Sequence, residues 1–283
     1  MRPTAGLGFK PEHFDEAVTC PSNGCWFEVH AENYMVEGGS RLAMLAALRI
    51  AHPLSLHGVG LSLAAAADPD MRHVARLKAL VDRFEPFVVS EHLAWSTWRG
   101  VHNPSLLPFP RTRSSLDRVV ANVMRVQDVL GRSILIENPA LYMELDGHEF
   151  AETEFLKELV RRCGCGLLID VNNVYVSANN LGFGAEAYLD AIPGSAIGEI
   201  HLAGHSGDAQ YGERLLIDTH DSPICEVVWR LYERLIERVG PKPTLIERDE
   251  NIPAFAELLR ERDRAHALLT SQSTREHRRA VHV

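Results

Sequence analysis

Eight short apolar runs, mostly separated by amphipathic stretches long enough for three or more helical turns, limit what this chain can fold into. The runs cover residues 5–9, 25–30, 54–58, 87–92, 133–138, 166–171, 197–202 and 244–247. The clearest helical periods lie at 41–51, 71–84, 115–130, 152–163 and 225–239, with a fainter one at 11–19. Asp68-Pro69 opens one helix with a cap and a proline, and Gly131 and Gly240 close two others. Alternation of this kind predicts parallel strands joined by crossover helices, and eight units close naturally into a (β/α)8 TIM barrel. An open doubly wound sheet would want a glycine-rich phosphate turn after the first strand, and Gly6-Leu-Gly8 has no third glycine in place. A length of 283 residues suits one barrel over residues 1–270. Residues 271–283 carry Arg275, Arg278 and Arg279 without an apolar period and are expected to form a disordered tail.

Composition excludes several classes. A net charge of −9 argues against a nucleic-acid-binding face, which would be basic. Neither an apolar signal core nor a run of about 18 apolar residues is present, so no membrane span is expected. The five cysteines are odd in number and lack CxxC spacing, which reads as reduced thiols in a cytoplasmic protein.

The chemistry gathers where the runs end. The third run delivers His57, the fourth Glu91-His92, the fifth Glu137, the sixth Asp170 followed by Asn172 and Asn173, the seventh His201, and the eighth Glu247 followed by Asp249. Asp218-Thr-His220 adds a carboxylate and an imidazole two residues apart, which an extended backbone turns to one side. Ionised groups at the ends of six successive buried strands are costly unless paired or metal-bound. Nitrogen and oxygen donors without thiolate suit Fe, Mn or Zn, and this many ligands calls for two or three ions. Two loops, 93–114 and 203–217, are oversized and follow strands, which places them on the C-terminal face where barrel active sites are built. Within them, Trp95 and Trp98 are candidates to line a peptide groove and His205 to contact substrate or support a ligand. Glu32-Asn33-Tyr34, after the second run, is a candidate support for the metal shell.

These motifs carry a resemblance. HGVGLSL at His57, SEHLAWS at Glu91, IENP at Glu137, DVNNVYVSA at Asp170, EIHLAGH at His201 and IDTHDSPI at Asp218 are similar to those of the multinuclear non-heme iron-dependent oxidases, which include the methanobactin-biosynthesis oxidase. The resemblance spans about residues 5 to 265. It implies a xylose-isomerase-like TIM barrel with two or three iron ions in mixed Fe(II)/Fe(III) states. It also implies O2 as co-substrate, a ribosomally made precursor peptide modified chiefly at cysteine, and a separately encoded partner protein that grips the peptide leader.

The ligand set also resembles the trinuclear zinc site of the endonuclease IV barrels. Carried over by motif, His57, His92 and Glu137 would hold one ion. Glu137 would bridge to a second held by Asp170, His201 and Glu247. Asn173, Asp218 and His220 would hold the third. Asn173 departs from the endonucleases, which have histidine there, and matches the oxidases; an amide oxygen implies a weaker third site. Asp249 is the candidate base for the peptide amide, against the plainer reading of a surface carboxylate paired with Arg248. The competing functions are a divalent-metal sugar isomerase or phosphodiesterase on the same barrel, and a metal-storage module.

Overall fold

A computed structural model describes residues 4–21, 23–98 and 101–281. Eight parallel strands close into a barrel: β1 (Ala5–Gly8), β2 (Phe27–His30), β3 (Leu54–Gly58), β4 (Val88–His92), β7 (Leu135–Glu137), β8 (Gly166–Asp170), β9 (Ile197–Leu202) and β12 (Thr244–Ile246). β12 pairs with both β9 and β1, which completes the ring. The strands are buried almost throughout, because the barrel interior covers one face and the helices the other. The intervening strands are β5 (Trp95–Trp98) with β6 (Val101–Leu107), and β10 (Ser206–Asp208) with β11 (Gly212–Ile217). Each of these pairs is an antiparallel hairpin inside one of the two oversized loops.

Helices α1 (Phe14–Thr19), α2 (Ser40–Ala51), α3 (Met71–Phe84), α4 (Arg113–Leu130) and α5 (Glu152–Cys163) surround the barrel, followed by α6 (Val171–Leu181), α7 (Ala185–Ala191), α8 (Glu226–Val239) and α9 (Phe255–Val281). Local chemistry sets their starts. The Asp70 side chain accepts from Arg72 N at 2.9 Å, and Thr112 and Ser115 form a reciprocal capping box at α4. Gly131 stops α4 at φ 69°, a left-handed turn that a residue with Cβ resists.

One element differs from the sequence reading. The polar segment after Asp170 has no clear apolar period, yet it forms α6 directly, because Asp170 caps it through Asn173 N at 2.6 Å. At the other end α9 runs from Phe255 to Val281. Arg262 of α9 is buried under the barrel, where it donates to Ala5 O at 2.8 Å and Asn23 O at 2.7 Å. No described helix is long and apolar enough to cross a membrane. None of the five cysteines is in a disulfide.

Candidate metal centre

All nine expected ligands reach the C-terminal mouth of the barrel and form one connected set. His57 Nε2 lies 3.1 Å from Glu137 Oε2, and His92 Nε2 lies 3.4 Å from the same oxygen. His92 Nδ1 donates to Gly58 O at 3.1 Å, so its Nε2 offers a lone pair to that point. His57 is oriented from behind by Ser90 Oγ, 2.7 Å from its Nδ1. Glu137, Asp170 and His201 form a second group able to share a cation, and Asp170, His220 and Glu247 a third. His220 Nε2 is 2.8 Å from Asp218 Oδ1, and Asn173 Nδ2 donates to Glu137 Oε1 at 3.3 Å, which ties in the remaining two residues. The structure thus sets Asp170 and Glu247 beside His220 as well as near His201, a tighter mesh than the three separate shells carried over by motif.

The donors fit metal ions on a further ground. Glu137 Oε2, Asp170 Oδ2, Asn173 Oδ1, both ring nitrogens of His201 and His220 Nε2 are buried without a hydrogen bond among the described residues. Glu137 Oε2, His201 Nδ1 and His220 Nε2 each lie within 3.2 Å of an oppositely ionisable side chain, but without the direction a hydrogen bond needs. Orphaned polar atoms of this kind are costly, and converging cations would satisfy them.

The electrostatics point the same way. Burial opposes charge on His57, yet Glu137 raises it to about 10. Burial likewise opposes ionisation of Glu137, but His92 and His57 hold its carboxyl down at about 2. Asp170 is driven well up by burial and by the facing Asp218 and Glu137. Without metal the carboxylates therefore draw protons onto His57 and His220. A bound cation would replace those protons.

Asp249 occupies the rim. Its Oδ2 is 2.9 Å from His220 Nδ1 and its Oδ1 2.7 Å from Lys10 Nζ, while Arg248 pairs with Glu261 instead. Burial and Glu247 push the Asp249 carboxyl up, but the His220 hydrogen bond and Lys10 outweigh them and keep it low. A pocket of about 200 Å³ opens beside Glu247 and Asp249, lined also by Lys10, His30, Tyr34 and Arg41. His205 stands one step back: Asn172 Oδ1 accepts from its Nδ1 at 2.7 Å, and Asn172 Nδ2 donates to Asp218 Oδ1 at 2.7 Å.

Other residues singled out from the sequence serve the scaffold. Glu91 turns to the β3–α3 loop, where its Oε2 accepts from Leu61 N at 3.1 Å, and burial keeps it up at about 8. Glu32 pins the β3–α3 loop through Val59 N, Gly60 N and His73. Trp95 donates to Pro108 O at 2.8 Å within its own loop. The Trp98 side chain lies outside the described residues.

Sequence reasoning missed Glu28, His30 and Glu199, which the structure brings into the same mesh. A signal was available. In four strands a polar residue stands two before a histidine: Glu28/His30, Ser55/His57, Ser90/His92 and Glu199/His201. Spacing of two sends both residues to the same strand face.

The sequence over residues 4–270 matches the model of the RiPP precursor modification enzymes MbnB/TglH/ChrH. The chain belongs to this family. A UPF0276 protein of Caulobacter vibrioides is 63% identical over 274 residues, covering 97% of this chain and 98% of that one. Another from Bordetella bronchiseptica is 51% identical, covering 94% and 92%. Among solved structures, endonuclease IV from Thermus thermophilus superposes with a TM-score of 0.59 at 19% identity, covering 93% of this chain and 98% of that one. A 3-keto-D-glucoside 4-epimerase from E. coli gives 0.57 at 13%, covering 95% and 100%. At such identities these two establish the xylose-isomerase-like barrel and nothing of the chemistry.

Proposed function

We propose that the protein is a multinuclear non-heme iron-dependent oxidase or oxygenase that uses O2 to modify residues, chiefly cysteine, of a ribosomally synthesised precursor peptide. A separately encoded partner protein would hold the peptide leader, and the reduced cysteines suit a cytoplasmic setting. The observation that carries the reading is the meeting of His57, His92 and Glu137 around one carboxylate oxygen, in a chain of this family. His57, His92, Glu137, Asp170, Asn173, His201, Asp218, His220 and Glu247 would hold two or three iron ions. Iron there would supply the one-electron redox chemistry and the open coordination position that reaction with O2 requires.

The protein's own groups divide the remaining work. The pocket beside Glu247 would admit the reacting residue, and the hairpins β5–β6 and β10–β11 rise from two of the loops around the mouth. Asp249, ionised and aimed by Lys10 and His220, would accept the peptide amide proton. His205, through Asn172, would hold the Asp218 carboxylate in line with His220.

The test is to purify the chain with its genomically neighbouring cysteine-bearing peptide and partner, measure metal per chain, and follow O2 uptake and peptide mass. The reading requires about two or three irons per chain and a peptide mass change that depends on O2. Stoichiometric zinc without iron-supported turnover would sink it. Full iron loading with no O2 uptake would favour storage, and turnover of a sugar or an abasic-site duplex would favour the isomerase or phosphodiesterase.

A further inference from the structure

Beneath the mouth, the barrel interior holds a second polar layer that the reading above leaves unused. The inward faces of TIM-barrel strands ordinarily carry branched apolar residues. Here Glu28 of β2 and Glu199 of β9 face one another across the interior, both essentially inaccessible to solvent. Ser55, the register partner of Glu28 on β3, donates its hydroxyl to Glu28 Oε2 at 2.7 Å. Glu28 Oε1 lies 3.2 Å from His201 Nε2, and Glu199 Oε1 lies 3.7 Å from the same nitrogen. Both oxygens of Glu199 lack any hydrogen bond among the described residues. On its other side His201 presents Nδ1 to Glu247 Oε2 at 3.2 Å. One imidazole therefore has a carboxylate against each nitrogen, one in the deep layer and one in the ligand layer.

Two buried carboxyls with so few partners are a cost to the fold. Packing does not explain them, because an apolar pair would fill the same space without that cost. Their contacts supply the reason. A neutral imidazole carries one ring proton, and the nitrogen opposite is then the lone-pair donor. Negative charge close to Nε2 favours the proton on that nitrogen even without a directed hydrogen bond, leaves the Nδ1 lone pair toward Glu247 and the mouth, and makes the ring a stronger ligand.

We propose that Glu28 and Glu199 are positioning residues for His201: together they retain its proton on Nε2, so that Nδ1 is the ligand atom offered to the cation centre. Glu28 makes the nearer contact and is itself held by Ser55; Glu199 closes the far side of the same nitrogen. The inference rests on the metal-centre reading.

Co(II) titrated into the metal-free full-length protein, followed by its absorption spectrum and by competition with a chelator, tests it. Glu28→Leu and Glu199→Leu should each weaken Co(II) binding about ten- to a hundredfold. The ion count at saturation should stay unchanged and the ligand-field bands should shift. Glu28→Gln keeps an acceptor oxygen and should recover most of the affinity. The metal-free Glu199→Leu protein should melt no lower than the unaltered chain, because the substitution removes an unsatisfied buried carboxyl; this keeps the test open even if Glu28→Leu fails to fold.

Unchanged affinity and spectrum in folded Glu199→Leu, with Glu28→Leu also unchanged or unfolded, would overturn the inference alone. Loss of one whole ion at saturation would also overturn it, since the two carboxyls would then be ligands. No Co(II) binding by the unaltered chain would remove the metal-centre reading, and this inference with it.

Discussion

His57 and Glu137, 80 positions apart in the chain, meet at the barrel mouth with Nε2 and Oε2 separated by 3.1 Å and only 1% and 2% of their side chains exposed. Neither residue is a neighbour of the other in the sheet, because β4 runs between their strands and contributes His92 to the same point. The first group of candidate ligands is therefore made by strand order, and substitution at its shared carboxylate should be the most damaging single change.

Glu137→Gln keeps the shape of the side chain and a hydrogen-bonding oxygen for Asn173, but removes the charge. Loss of a support residue behind a metal ligand costs about 10–100-fold in affinity, and loss of the ligand itself should exceed that. Metal content per folded chain measures it. Full content in Glu137→Gln would show that the carboxylate is not a ligand.

Metal should stabilise the fold, since the orphaned donors are assembled only in the folded chain. At a free metal concentration a thousandfold above Kd the gain is about 4 kcal/mol. For a chain of this size that raises Tm by roughly 10 °C. Melting curves of chelator-treated protein with and without added Fe(II) under argon decide the matter; superimposable curves would contradict the fit of the donors to metal.

Glu152, acted on by Arg111 and Tyr188 rather than by any candidate metal ligand, supplies a separate pH dependence. Burial lifts its carboxyl to about 7, with Arg111 offsetting only part of the effect. A folded-state value above the unfolded one means that the folded chain holds the proton more tightly. Stability from this group is complete below about pH 4.5 and declines as pH rises toward 7 and beyond. The total is at most roughly 3 kcal/mol. Denaturant titrations at pH 5 and pH 8 should show this decline in the unaltered chain, and a smaller one in Glu152→Gln. Equal slopes for the two proteins would refute it.

Gly204 lies where the chain passes under its own loop. A Cβ there would sit 2.0 Å from Ser222 O, and Gly204 O accepts from His220 N at 3.1 Å. Gly204→Ala should cost about 1–3 kcal/mol and lower metal affinity by shifting His220. An unaltered Tm with unaltered metal binding would mean that this close approach is relieved at no cost.

Much was legible beforehand. The eight strands and most of the surrounding helices show in the alternation of apolar runs and amphipathic periods, because a strand covered on both faces must be apolar throughout. The candidate ligands show because polar groups end those runs. α6 did not show, since its Asn-rich start depends on Asp170 acting as a cap while it also faces the metal residues. The loop hairpins escaped notice too, as their short strands carry little apolar alternation.

The sequence by itself determined the barrel and the kinds of donor atom at its mouth, because burial periodicity and ligand chemistry are local properties of the chain. Only the tertiary structure decided which donors share a cation position, that Asp249 answers to His220 and Lys10 rather than Arg248, and that Glu28 and Glu199 stand behind His201. Those are relations across the barrel interior, and closure of the ring with its strand stagger sets them.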